Sequence, residues 1–196
     1  MLFLRYKRKD LKSISNQTIF IDTNILLFNY HPGSGTESAS KKWQQEYSGL
    51  LAEIILKKIP ICTNLFVLSE FYNRYLRFEA SIVTKEKSNT DSRAYKEYRD
   101  SEIGNATQRE IIHILKNRLP GSGIRYIDLS FDHQGILDLF DISGLDFTDR
   151  VIVETCKVND FVLLTDDADF RDSDIPILSL NPNMFLDRPK NPLGEP

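Results

Sequence analysis

Four acidic residues stand where a short apolar run gives way to helix-start chemistry. Asp22 follows Ile19-Phe20-Ile21 and opens Asp22-Thr23-Asn24. Glu70 lies in the first turns of a helix that follows Ile59, Ile61, Cys62 and the turn Thr63-Asn64. Asp149 falls in the first turn of a helix starting near Thr148, and Asp167 belongs to Asp166-Asp167-Ala168-Asp169, directly after the run Phe161 to Thr165. At the carboxyl ends of parallel strands such positions converge on one edge of the sheet. Four carboxylates held together raise one another's pKa unless a cation neutralises them. Hard oxygen donors with no His or Cys nearby favour Mg²⁺ or Mn²⁺. Each acid also has a plainer explanation: a helix cap for Asp22, an i,i+4 pair with Arg74 for Glu70, dipole complementation for Asp149, and a turn for the Asp166 to Asp169 cluster.

The elements that must position these acids follow from apolar periodicity. Ile19 to Ile21, Ile59 to Cys62, Ile124 to Leu129 and Phe161 to Thr165 read as strands. Trp43, Tyr47, Leu50, Leu51, Ile54 and Ile55 recur at helical spacing and predict a helix from about 40 to 58, closed by Pro60. Phe66, Val67, Phe71, Tyr75 and Phe78 predict a second from 65, and a short one is expected over Phe131 to Phe140. Asp174 to Leu178 is expected as an edge strand, because Pro176 cannot donate to a ladder. Strands separated by helices predict an α/β fold, three-layer α/β/α around a mainly parallel sheet, in a single domain.

Residues 1–18 form a basic arm, 19–180 the domain, and 181–196 a Pro-rich tail with Met184 and Phe185 docked. The span from about 80 to 120 is a charged helical excursion, a solvated surface or, with Tyr95 and Tyr98 among its cations, a surface for RNA. His31-Pro32-Gly33-Ser34-Gly35 reads as a loop.

At 196 residues with 41% hydrophobic content the chain can build one sizeable core. A net charge of -3 and a pI near 5.7 exclude a protein that coats nucleic acid with a uniformly basic surface. No run approaches a membrane span, and Cys62 and Cys156 read as free thiols, so a cytoplasmic protein with no membrane partner is expected. His31, His113 and His133 are scattered, which disfavours a histidine-pair ribonuclease.

The stretches Asp22-Thr23-Asn24, Ser69-Glu70, Phe147-Thr148-Asp149 and Leu164-Thr165-Asp166-Asp167-Ala168-Asp169-Phe170 resemble, in order, the four motifs of PIN-domain ribonucleases, the family of the VapC-type toxins. By this resemblance Asp22, Glu70, Asp149 and Asp167 are catalytic metal ligands with Asp169 a fifth member, and Asn24 and Thr165 orient ligands or phosphate. Arg150, Arg74 and Arg171 are candidate phosphate contacts, with ordinary surface roles as the alternative. The resemblance implies a Mg²⁺- or Mn²⁺-dependent endoribonuclease, in one version the toxin of a toxin-antitoxin pair with an antitoxin partner, and it leaves homodimerisation open. The alternatives are a housekeeping RNA-processing or structure-specific DNA nuclease, and a non-catalytic PIN-like module that binds RNA or protein.

Overall fold

The short apolar runs contribute to the centre of a six-stranded sheet in which every pairing is parallel. The structure, a computed structural model, describes residues 4–31, 38–84, 92–129, 131–140 and 144–186. In chain order the strands are β1 (Arg5–Tyr6), β2 (Ile19–Ile21), β3 (Ile61–Asn64), β4 (Ile124–Ile127), β5 (Val162–Leu164) and β6 (Ile177–Leu178), arranged β1-β6-β5-β2-β3-β4. All residues of β2, β3 and β5 are buried, which is why β2 and β5 read as unbroken apolar runs; Thr63 and Asn64, expected as a turn, are the buried last two residues of β3. Helices α1 (Thr23–Tyr30), α2 (Ser38–Leu56), α3 (Leu65–Thr84), α4 (Ser92–Asp100), α5 (Glu102–His113), α6 (Leu119–Gly121), α7 (His133–Asp138) and α8 (Phe147–Asn159) complete a three-layer α/β/α architecture.

The order of the sheet matters for the site. β2 is flanked by β3 on one side and β5 on the other, so the connections leave it in opposite directions and open a crevice beyond its carboxyl end. Register fixes what borders that crevice. Ile21 lies opposite Leu164, so Asp22 and Thr165, the next residue on each strand, are neighbours, and the Asp22 N–H donates to the Leu164 carbonyl at 3.1 Å.

Three further expectations change. β6 is an interior strand between β5 and β1, whereas an edge was expected from Pro176. The proline precedes the strand and contributes only its carbonyl, which accepts from the Leu163 N–H at 2.9 Å, so no donor is missed. The outermost position on that side goes to β1 from the basic arm, whose following 3₁₀ turn (Arg8–Ile14) buries Leu11 and Ile14 in the core. The charged excursion breaks at Ser101, whose Oγ accepts from the Gly104 N–H at 3.1 Å and caps α5. Tyr98, expected on its surface, is only 5% exposed and hydrogen-bonds Thr107 instead. Met184 is docked as expected and Phe185 packs beside it, while Pro189, Pro192 and Pro196, residues 32–35 of the expected loop, and Lys85 and Lys87 lie outside the described residues.

The α4–α5 corner depends on one glycine. A Cβ on Gly104 would fall 2.0 Å from the Tyr98 carbonyl oxygen, a backbone atom that cannot step aside. Gly104→Ala is therefore expected to lower stability by about 2–4 kcal/mol in denaturant titration. A midpoint equal to wild type would show that the corner can open at no cost.

Candidate active site

Asp22 ends β2 and caps α1, and it is only 4% exposed. Its Oδ1 accepts from the Thr23 N–H at 2.6 Å and its Oδ2 from the Thr165 hydroxyl at 2.8 Å. Thr165 Oγ1 in turn accepts from the Asp167 N–H at 3.0 Å, so one hydroxyl ties the end of β2 to the turn after β5.

Glu70 arrives from α3, which is started by Asn64: its Oδ1 accepts from the Phe66 and Val67 N–H groups at 3.1 Å each. The α1 face then meets α3. Thr23 Oγ1 donates to Glu70 Oε2 at 2.8 Å, and Arg74 Nη1 donates to Glu70 Oε1 at 3.2 Å and to Asn24 Oδ1 at 2.9 Å. Asp149 sits in the first turn of α8, which Asp146 caps by accepting from the Asp149 N–H at 2.9 Å. Asp167 caps the 3₁₀ turn Ala168–Asp172 by accepting from the Asp169 N–H at 2.9 Å.

The plainer roles are thus real. Asp22 and Asp167 are caps, Glu70 pairs with Arg74, and Asp149 lies in a first turn. The four are nevertheless close enough to act on one another electrostatically. The Asp22 carboxyl is pushed up to about 6, first by burial and then by Glu70 and Asp167, against the hydrogen bonds from Thr165 and Thr23. Asp149 is pushed up to about 7 by burial, by Asp146, and then by Asp22, Asp167 and Glu70.

Asp166 and Asp169 are placed differently. Asp166 Oδ1 accepts from the Tyr47 hydroxyl at 2.8 Å and its carbonyl accepts from Asn181, so it braces α2 and the C-terminal segment; burial raises its carboxyl. Asp169 is exposed, on the wall of a separate cavity of about 990 Å³ that it shares with Arg150 and Arg171. Arg150 Nε also donates to the Asp146 carbonyl at 3.3 Å, and the Arg171 carbonyl accepts from Arg5.

A hard divalent cation suits this donor set in kind: oxygen ligands only, two of them pushed up by burial and by neighbouring carboxylates. Among the described residues no three His, Cys, Asp or Glu side chains are gathered around a single metal position. The carboxylates are held by Thr23, Thr165 and Arg74, not closed into a finished shell.

His31, His113 and the two cysteines are engaged elsewhere. His31 is buried with its Nε2 2.9 Å from Glu79 Oε1, and His113 Nδ1 meets Asn117 on α5 and its extension. Cys62 and Cys156 are buried free thiols, both pushed up by burial. Two residues at the site escape sequence reading. Thr23, which orients Glu70, looks like any helix-start residue. Asp146 carries a readable signal, an acid three residues before another at a helix start.

Fold and site together define a three-layer α/β/α protein with a carboxylate centre outside the switch point of a parallel sheet. The PIN domain model matches residues 19–175, and the chain belongs to the PIN domain family. PIN domains are typically nucleases, hydrolases of nucleic acid that generally use divalent metals. Comparison with curated proteins and with solved structures gave no match.

Proposed function

We propose that this chain is an endoribonuclease in which Asp22, Glu70, Asp149 and Asp167 hold Mg²⁺ or Mn²⁺. The observation that supports the reading is that, after burial, Glu70 and Asp167 push Asp22 up, and that, after burial and Asp146, Asp22, Asp167 and Glu70 push Asp149 up. A bound divalent ion supplies an activated water and neutralises charge on the phosphate under attack. The chain's own contribution is orientation. The Thr23 N–H and the Thr165 hydroxyl fix the two oxygens of Asp22, and the Thr23 hydroxyl fixes one oxygen of Glu70. Arg74 restrains the other Glu70 oxygen and brings a cation beside the site, where a phosphate diester would dock. RNA as the substrate rests on the motif resemblance, with Asn24 as a further phosphate contact.

The test is hydrolysis of end-labelled single-stranded RNA with Mn²⁺ and with EDTA, beside single-stranded DNA of the same sequence. Cleavage of the RNA that needs the metal and leaves 5′-phosphate ends is expected. Cleavage that survives EDTA would overturn the metal assignment, and cleavage of the DNA alone would overturn the substrate.

A further inference from the structure

Beside the carboxylates, the seam between α1 and α3 opens into a cleft of about 360 Å³. Its walls have one pattern. Asn24, Leu27, Phe28 and His31 come from α1 and Arg74, Arg77, Phe78 and Ser81 from α3, each at i, i+3, i+4 and i+7, which is one face of a helix. The two faces begin at the carboxylate centre: Asn24 and Arg74 are bonded to each other there, and Glu70 is one turn before Arg74. The cleft is therefore continuous with the site and runs away from it along α3.

Its chemistry is the reverse of the centre's. Two guanidinium groups line it and no carboxylate does, in a chain whose net charge is -3. Arg74 spends only Nη1 on Asn24 and Glu70. Arg77 has no carboxylate partner among the described residues and rests on the Tyr95 ring of α4, 4.4 Å from its centroid. The aromatic side chains of the lining are held by ring contacts. His31 is edge-on to Tyr75 at 4.2 Å and to Phe78 at 4.6 Å, and Phe28 stacks on Tyr47 at 5.4 Å. Cations and aromatic rings lining one space, at the lower end of small-ligand sites, suit one unpaired base and its phosphate.

We propose that this cleft holds a nucleotide of single-stranded RNA next to the scissile phosphate, Arg74 and Arg77 taking phosphate and Phe28 and Phe78 taking the base. The proposal rests on the ribonuclease reading above for the identity of the strand. It also gives α4 a task, since Tyr95 holds Arg77 in place.

The test uses the full chain and a fluorescein-labelled oligouridylate, which has no pairing to resolve. Binding is read by anisotropy in EDTA at several salt concentrations, and cleavage of the same RNA is read in Mn²⁺. Arg77→Ala is expected to weaken binding about tenfold and to lower the salt slope by roughly 0.7, the share of one phosphate contact on a single strand. Arg77→Lys should restore the slope. Ser81→Trp, which fills the cleft without removing a charge, should weaken binding by a similar factor at unchanged slope. For both Arg77→Ala and Ser81→Trp, KM should rise with kcat within about threefold. Wild-type cleavage with binding and KM unaltered in both variants would overturn the cleft and leave the nuclease reading standing. Binding that the variants weaken, in a protein that cleaves nothing, would support the cleft and overturn the catalytic reading. Failure of the wild type to bind the RNA would overturn both.

Discussion

Asp22→Asn is expected to cut RNA hydrolysis by at least about a hundredfold, roughly 3 kcal/mol of transition-state stabilisation, in a protein that folds as well as wild type. The two effects separate because Asp22 has two tasks. As the cap of α1 it needs only an oxygen to accept from the Thr23 N–H, and Asn caps a helix as well as Asp does. As a proposed ligand it needs a negative charge, which Asn lacks. The buried charge is a cost to the metal-free fold, since burial and the neighbouring Glu70 and Asp167 all push this carboxyl up. Removing it relieves that cost at pH 8 and so offsets the lost acceptor for the Thr165 hydroxyl, whereas Asp22→Ala also loses the cap, about 1 kcal/mol. The readouts are initial cleavage rate and thermal midpoint, side by side. Hydrolysis at the wild-type rate in Asp22→Asn would show that Asp22 is a cap and nothing more.

The second large effect concerns Asp149 and reverses the usual direction of pH dependence for a carboxylate. An acid stabilised by a salt bridge has a lowered folded pKa and loses stability as pH falls. Asp149 is the opposite case, with a folded pKa of about 7 against an ordinary value of 3.8. Between those values the folded state binds more protons than the unfolded one, so stability falls as pH rises through that window and levels off above it. The metal-free protein is thus expected to melt lower at pH 8 than at pH 5.5. Asp149→Asn should flatten that slope and gain about 1–3 kcal/mol at pH 8. Mn²⁺ should restore the wild type at pH 8 by mass action, by about 2.7 kcal/mol at a hundredfold excess over its Kd, and should do little for Asp149→Asn. Calorimetry at the two pH values, with and without Mn²⁺, measures all of this. A variant less stable than wild type at pH 8 would mean that Asp149 serves the fold through the helix dipole and carries no electrostatic penalty.

Local chemistry made much of the fold readable. Apolar runs as short as Ile19 to Ile21 are legible as strands because they are buried on both faces, and Asp22 and Asn64 are capping residue types at the helix starts they occupy. Pro176 misled because a missing N–H excludes a residue from a ladder's donor positions but not from the position just before a strand. Tyr98 misled because charges on either side say nothing about which face of a helix finds a neighbour. The excursion's break at Ser101 was hidden by Gly104, which serves a close backbone approach that only the folded corner reveals.

By itself the sequence determined that four acids stand at strand ends or in opening helical turns, because that placement depends on residues within a few positions of each. It did not determine which of them are neighbours. That follows from the strand order β1-β6-β5-β2-β3-β4, which sets β2 between β3 and β5, and from the register of Ile21 on Leu164, which brings Thr165 to Asp22. Tertiary structure alone also decided the split among Asp166, Asp167 and Asp169. One residue of shift along a turn moves a carboxylate from the Tyr47 hydroxyl to the acidic centre, and two more carry it to the wall of another cavity. Spacing in sequence cannot express that difference, because consecutive side chains in a turn leave in different directions and only the packed neighbours fix which one faces the crevice.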